Sequence, residues 1–522
     1  MEKNTILAVA LSFLIMLGWQ KFYVEPQQMK GAPLAVTSPG SAAPSAPQNT
    51  TQQTSPQLQA QPVTLQADRP ETSLELQTQI SSAQISDGNL YFKNWVLKNY
   101  RQGLTPESAP VDLESVTLQK GEVNLAFDDP DFAYLSQVRG KLSSTAQGAL
   151  WVYEDSNVKL TREFQWSQNQ PAVQLNVRAD FKTKRPKYAF VSLYSQGVDK
   201  DPEAQDRQLV YWSNQSLERL LLKDSLTLKD IPSAVQYIAA TSRYFILSLI
   251  PQPQAPLPTG LIQPVAANKA GLSLVYPITE NFIQMPLKVY FGPKELDLLR
   301  QVEPTLDHTV DFGWFTVFAY PLLKILKWLY QFAQNYGLAI IVLTLLLKIA
   351  TYPLTYKSMK SMKKMAKLQP QLQKIRERYK DDKEALNREM LVMMKNNGYN
   401  PMAGCLPMLI QMPIFFALYR VLYSSIELYH APFMFWIQDL SSHDPFYVTP
   451  ILLSATMFIQ QKLTPNTATD PAQAKMMQLM PLIFGALMMS LPAGLTVYML
   501  VNALASIVQQ IILNKKFDAA PA

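Results

Sequence analysis

Lys348 is the residue whose placement demands a chemical explanation. It lies within NYGLAIIVLTLLLKIATYPLTY, Asn335 to Tyr356, a run apolar and long enough to cross a bilayer, which takes about 20 residues. The next charge, Lys357, is nine positions on. At about 1.5 Å rise per residue that is roughly 13 Å, more than a lysine stem can reach. A lone cation at that depth costs at least about 2.5 kcal/mol on insertion scales. Thr344 and Thr351 stand at i−4 and i+3 from Lys348 and share its helix face. The later apolar segments contain no Asp or Glu, so the sequence offers no deep carboxylate partner. They offer neutral polar residues instead: Gln411, Ser424, Ser425, Gln460, Gln461, Thr496, Asn502, Ser506, Gln509 and Gln510. Such residues often glue helices together, which accounts for Gln509 and Gln510. Glue does not account for an unpaired lysine. The pattern predicts a hydrated groove inside a helix bundle, with Lys348 at its deep end, attracting acidic residues on whatever enters.

Other chemistries find little support. The chain has 522 residues, one cysteine (Cys405) and three histidines. That excludes an intrachain disulfide and argues against a His/Cys zinc site. There is no G-x-x-x-x-G-K-[ST] and no G-x-S-x-G. The apolar segments carry no Ser/His set, paired Asp or His-rich cluster, which disfavours an intramembrane protease. No cofactor, no metal, no enzymatic reaction and no direct DNA binding are expected.

The elements that position Lys348 follow in chain order. Residues 5–23, TILAVALSFLIMLGWQKFY, end on Trp19, Lys21 and Tyr23, as suits a membrane interface. The apolar core exceeds the usual signal-peptide length and no A-x-A site follows directly, so 1–25 reads as an uncleaved anchor. Residues 26–70, rich in Pro, Gln, Ala, Ser and Thr, read as an extended linker. From 71 to 311 short alternating runs predict a large all-β sandwich. Examples are Leu90-Tyr-Phe92, Val123-Asn-Leu125-Ala-Phe127, Leu150-Trp-Val152-Tyr and Val173-Gln-Leu175-Asn-Val177-Arg, with turn signals at Asp87-Gly88, Asp129-Pro130 and Ser167-Gln-Asn-Gln. Helical periodicity returns at Glu295–Arg300. Residues 312–334 predict an amphipathic helix lying in the interface, because Lys324, Lys327 and Pro321 sit near its centre.

Five core spans are expected at about 335–356, 404–424, 446–461, 476–491 and 495–513, making six with the anchor. Between the first two lies a basic helical hairpin, 357–400, with twelve basic and five acidic residues, an excess equal to the whole chain's net charge of +7. Asp381-Asp382 should break its two arms and Asn396-Asn-Gly398 should end the second. Methionines are set among its lysines, and flexible thioethers suit surfaces that grip varied apolar partners. The connection 425–445 has Glu427, Asp439 and Asp444 and no Lys or Arg, whereas 462–475 and the short tail 515–522 carry lysines. The positive-inside rule then puts the hairpin and both termini in the cytoplasm and the β domain outside.

The run from Asp311 to Gln510 resembles the YidC membrane protein insertases, relatives of the mitochondrial oxidase-assembly and thylakoid insertases. The resemblance rests on Val310-Asp-Phe-Gly-Trp314, Tyr352-Pro-Leu354, Ser361-Met-Lys-Lys-Met365, Leu368-Gln-Pro370, Asn400-Pro-Met-Ala-Gly-Cys-Leu-Pro407, Gln411-Met-Pro-Ile-Phe415 and Ala417-Leu-Tyr419. Ala431-Pro-Phe433, Trp436-Ile-Gln-Asp-Leu440, Asp444-Pro445, Thr469-Asp-Pro471 and Gly494-Leu495 agree as well. The anchor, linker and outer domain look like the longer Gram-negative form. The resemblance implies an α-helical polytopic inner-membrane protein with a periplasmic β-supersandwich. It implies an insertase and folding chaperone that takes hydrophobic client segments from the cytoplasm into the bilayer, alone or beside the Sec translocon. The expected client groove comprises Lys348, Thr344, Thr351, Gln411, Tyr498, Asn502 and Ser506. The expected capture surface on the hairpin comprises Met359, Met362, Lys363, Lys364, Met365, Met393 and Met394. Expected partners are nascent membrane proteins, Sec components, a ribosome or targeting factor at the hairpin, and the phospholipid bilayer. The family usually has arginine where Lys348 stands, and an aromatic often follows Tyr498 where this chain has Met499. The rival reading is a secondary transporter or channel using Lys348 as its substrate or ion site.

Overall fold

The structure, a computed structural model, describes residues 72–88, 92–113, 116–117, 123–136, 138–196, 206–222, 226–253, 257–266, 268–379, 382–396, 402–464 and 471–519. The expected anchor (1–25) and linker (26–70) lie outside the described residues, as do Leu90 and Tyr91. The chain forms two compact units. One contains residues 72–96, 112–242 and 246–292; the other contains 97–111, 243–245 and the chain from Pro293 onward.

The first unit is all β. Its strands belong to sheets of nine, five and four strands, and the described pairings are antiparallel. The strand Val173–Phe181 alternates buried and half-buried residues throughout, as its sequence predicts. It runs between Val158–Gln165 and Phe282–Pro293 in the nine-stranded sheet. In the five-stranded sheet Tyr188–Gln196 pairs with both Val123–Phe127 and Lys269–Pro277. Strands of these two sheets pack face to face, giving the core of a sandwich. Large aromatics close the packing: Trp95 lies against Phe92 and Phe291 while its indole N–H donates to Ser81 Oγ at 2.9 Å.

The second unit is helical. Helix α1 (Leu296–Val302) is followed by α2 (Thr316–Ala333), α3 (Tyr336–Arg378), α4 (Lys383–Asn396), α5 (Met402–Ser424), α6 (Val448–Leu463), α7 (Pro471–Met488) and α8 (Ala493–Ala519). Helix α2 is amphipathic in an unusual sense. Ala319, Leu322, Leu323, Leu326 and Leu329 are buried, yet Val317, Phe318, Trp328 and Phe332 on its other side are exposed. The corner into α3 is made by Gln334, left-handed at φ 50°, and by Asn335, whose side chain caps α3 by accepting from Leu338 N at 3.0 Å. Helix α3 continues for 43 residues through Pro353 and Pro370, so the first span and the first hairpin arm are one helix. The arms part after Arg378, and α4 ends at Asn396.

Among the described residues, the helical stretches Tyr336–Leu368 and Ala493–Phe517 are long and apolar enough to cross a membrane by themselves. The expected spans at 446–461 and 476–491 correspond to α6, 16 residues long, and to the shorter apolar stretch Gln478–Met488 of α7.

Candidate functional site

Helix α8 is the hub of the bundle, packing against α3, α5 and α6. It carries Tyr498, Asn502, Ser506 and Gln510 at four-residue intervals. A step of four residues on an α-helix overshoots one turn by about 40°, so this polar stripe winds round the helix over about 18 Å. Each bonded member therefore reaches a different neighbour. Tyr498 is buried and its hydroxyl accepts from Gln411 Nε2 of α5 at 3.0 Å. Ser506 Oγ accepts from Lys348 Nζ of α3 at 2.6 Å and donates to its own helix at Asn502 O, 2.7 Å away. Gln510 Nε2 donates to Thr464 Oγ1, just past the end of α6, at 3.1 Å. Near the other end of the seam Thr496 and Thr449 share a hydrogen bond of 3.1 Å between α8 and α6.

Lys348 lies about 18 Å along α3 from its capped end, near the middle of a bilayer about 30 Å thick. It is half-buried, while Ile349 beside it is exposed. Among the described residues no carboxylate stands within ion-pair distance of Lys348; its bond is to the neutral Ser506 hydroxyl. The two threonines on its face behave differently from one another. Thr344 is buried and donates to Ile340 O at 2.7 Å, so it belongs to helix packing. Thr351 is half-buried beside Lys348 and donates to Leu347 O at 2.8 Å. Thus Lys348 and Ser506 are brought into contact, and Gln411 with Tyr498 forms a second contact along the same helix.

The hairpin residues separate into three sets. Met359 is buried at the base of the first arm. Met393 packs with Met390 on the buried Leu372, forming the hairpin's own small core. Lys363 is tied to the end of α8: its Nζ donates to Asn514 O at 3.2 Å and lies 5.6 Å over the Phe517 ring. Met362 is half-buried and Lys364 exposed. The side chains of Met365, Met394 and residues 402–410 lie outside the described ones.

Two features escaped the sequence reading. Arg420 is a second cation within an expected span, near the end of α5, and its guanidinium lies beside Gly313. Lys327 of α2 gathers three carboxylates: Asp297 at 2.7 Å, Glu295 at 3.3 Å and Glu427 at 3.6 Å. Burial disfavours the Lys327 cation, but the hydrogen bond to Asp297 and the charges of Glu427 and Glu295 outweigh it and hold its pKa above the usual lysine value. Glu427 is pushed up by burial, partly opposed by a backbone hydrogen bond and by Lys327. The three carboxylates come from α1 and from the turn after α5, far apart in sequence, so spacing alone could not have joined them.

The comparisons with known proteins agree with this architecture. The profile of the YidC periplasmic domain matches residues 73–325, and that of the 60Kd inner membrane protein family matches residues 328–520. A membrane protein insertase YidC of Geobacter metallireducens is 32% identical over 543 aligned positions, covering 100% of both chains. One of Syntrophus aciditrophicus is 34% identical, covering 99% of this chain and 100% of the relative. A crystal structure of an active YidC insertase with its first transmembrane domain resolved is 19% identical, with a TM-score of 0.36 over 87% of this chain and 94% of that one. None of these matches supports the transporter or channel reading. With both profiles placed end to end and relatives matched over the full length, the chain belongs to the YidC family of membrane protein insertases.

Proposed function

We propose that the seam around Lys348 is the passage by which a client segment leaves the cytoplasm and enters lipid. The observation that carries this reading is the bond between Lys348 and Ser506. A cation at mid-membrane depth is held by one neutral hydroxyl, so its charge remains open to an acidic residue on an incoming chain. Thr351, Gln411, Tyr498 and Asn502 continue the polar path, and Thr344 supports it from within the packing. No bond is made or broken, so the protein acts as an insertase and chaperone and not as an enzyme. The client's apolar segment leaves because it prefers lipid.

In this reading the hairpin and both termini are cytoplasmic and the β domain is periplasmic, as the lysine distribution requires. Met362, Lys364, Met365 and Met394 meet the client first, while Met359, Lys363 and Met393 shape the hairpin that presents them. A ribosome or targeting factor docks on the same basic surface, and Sec components work beside the bundle for larger clients.

The test uses the purified chain in liposomes with a small single-span client bearing an acidic tail. Protection of the translocated tail from added protease scores insertion. Wild type and Lys348→Arg are expected to insert the client, and Lys348→Ala to fall about tenfold, equivalent to about 1.4 kcal/mol of lost attraction. Equal insertion by all three would refute the role of the charge.

A further inference from the structure

The connection 425–447, between α5 and α6 at the end of the bundle opposite the basic hairpin, has a composition unlike a water-facing loop. It contains no Lys or Arg. Its three carboxylates are all turned inward. Asp444 accepts from the Trp436 indole N–H at 2.9 Å, Phe446 N at 3.0 Å, and Thr449 N and Oγ1 at 2.7 Å each. Asp439 accepts from Ser441 N, Ser441 Oγ and Ser442 Oγ at 2.6–2.8 Å. Glu427 faces Lys327 with its side chain 8% exposed. What the connection shows outward is mostly apolar: Pro432, Met434, Phe435, Pro445, Phe446 and Tyr447, with Phe435 79% and Phe446 67% exposed, interrupted by the exposed Gln438, Ser442 and His443.

These rings are held in place. Phe435 and Tyr447 have φ of 55° and 54°, a left-handed conformation that bulky residues adopt only when their surroundings impose it. The surroundings do so here. Gln438 Nε2 donates to Phe435 O, Ile437 N to Met434 O, and Tyr447 N to Asp444 O. Asn335 Nδ2 donates to Phe433 O, while Ala493 N and Gly494 N donate to Ser442 O and Leu440 O. The connection is thereby fastened to the first turns of α3 and α8.

Helix length supplies the second argument. The 16 residues of α6 span about 24 Å, roughly 6 Å short of the hydrocarbon thickness. Phe446 and Tyr447 immediately precede α6, where that shortfall falls if Lys462 holds the other end at the interface. We infer that the 432–447 face is an apolar collar seated in the lipid of the outer leaflet, with Phe435 and Phe446 among the acyl chains, completing the membrane-spanning height that α6 lacks. This goes beyond the insertase reading and rests on the helices crossing the membrane with the hairpin on the cytoplasmic side, as proposed above. An aromatic surface that exposes no Lys, Arg, Asp or Glu fits the lipid interface, which takes aromatic rings and their polar neighbours readily.

The test places a nitroxide on a cysteine at position 435 or 446 of the full chain, in a Cys405→Ala background, reconstituted in phosphatidylcholine liposomes. Collision rates with oxygen and with a water-soluble nickel chelate report depth. Labels at Ile349 and Lys364 calibrate acyl chain and water. Oxygen-to-nickel ratios at 435 and 446 several-fold above that at 364, and below that at the mid-bilayer position 349, are expected. Nickel accessibility equal to that at 364 would overturn the collar. So would labels that are wet in liposomes but shielded in native membranes, which would assign the surface to a protein partner.

Discussion

Replacing Lys327 by Gln tests whether the charged cluster at α2 is a structural pin. The lysine side chain is 28% exposed and is shared among Asp297, Glu295 and Glu427. The Asp297 pair contributes little, since Asp297 is largely exposed and surface pairs are worth about 0–1 kcal/mol. Glu427 decides the outcome. At 3.6 Å and an effective dielectric of about 20, the pair attraction is roughly 4–5 kcal/mol. Losing it would leave a buried carboxylate uncompensated, a change that typically costs about 3–5 kcal/mol. The variant limits the loss by protonating Glu427, so about 2–3 kcal/mol is expected at pH 8. For a unit of this size that lowers Tm by about 5–10 °C. The pH dependence has a definite sign. Burial already raises the Glu427 pKa above its ordinary 4.5 in the folded chain. A carboxyl raised on folding favours the native state at low pH and loses that contribution as pH rises through the folded value. Removing Lys327 raises the folded value further, so the destabilisation should grow from pH 5 to pH 8. Melting of the detergent-solubilised chain, followed by tryptophan fluorescence, measures it. Lys327→Gln combined with Glu427→Gln should recover most of the loss. Additive losses in that cycle, or a penalty independent of pH, would refute the pin.

Gly337→Ala should destabilise the start of α3 by about 1–3 kcal/mol, because a Cβ there would lie 1.9 Å from the Phe433 ring, which is fastened through Asn335. A lower Tm with faster proteolysis at 432–447 checks it. Ser506→Ala should cost about 1.5–3 kcal/mol of stability and lower client insertion in liposomes, since Lys348 loses the hydroxyl that holds and aims it; Ser506→Thr should restore both. Equal insertion by Ser506→Ala and wild type would show that Lys348 needs no aiming.

Much of this was legible in the sequence wherever a residue's role depends on its immediate neighbours. Alternation over Val173–Arg178 marked the strand that runs Val173–Phe181, and the expected hairpin has two helical arms, the first ending at Arg378 and the second starting at Lys383. The unpaired Lys348 was legible because the cost of its depth can be worked out from a single helix. Its partner was not: Ser506 is 158 residues away and one of ten candidate polar residues. Sheet order was likewise hidden, because Tyr188–Gln196 pairs with strands on both sides in sequence. The methionines illustrate a subtler limit. Composition marked them as a surface, but Met359 is buried and Met393 packs on Leu372, since a helical hairpin must first bury something of its own.

Lys327 and Lys348 show how one residue type serves opposite ends in one unit. Lys327 faces three carboxylates, so moving it would expose uncompensated charge, and it fixes α2 in place. Lys348 faces one hydroxyl. A hydrogen bond to a charged group is worth about 1.5–3 kcal/mol, and in the proposed passage a client carboxylate arriving within reach would replace it with a stronger, charge-assisted bond. The exchange therefore needs no energy source. On this proposal departure gives up that stronger bond, a cost offset by Ser506 taking the ammonium back and by the client's apolar segment moving into lipid. A carboxylate in place of Ser506 would stabilise the resting bundle and abolish this exchange. In the proposed passage, the absence of Asp and Glu from the later apolar segments is what would leave Lys348 open to a client.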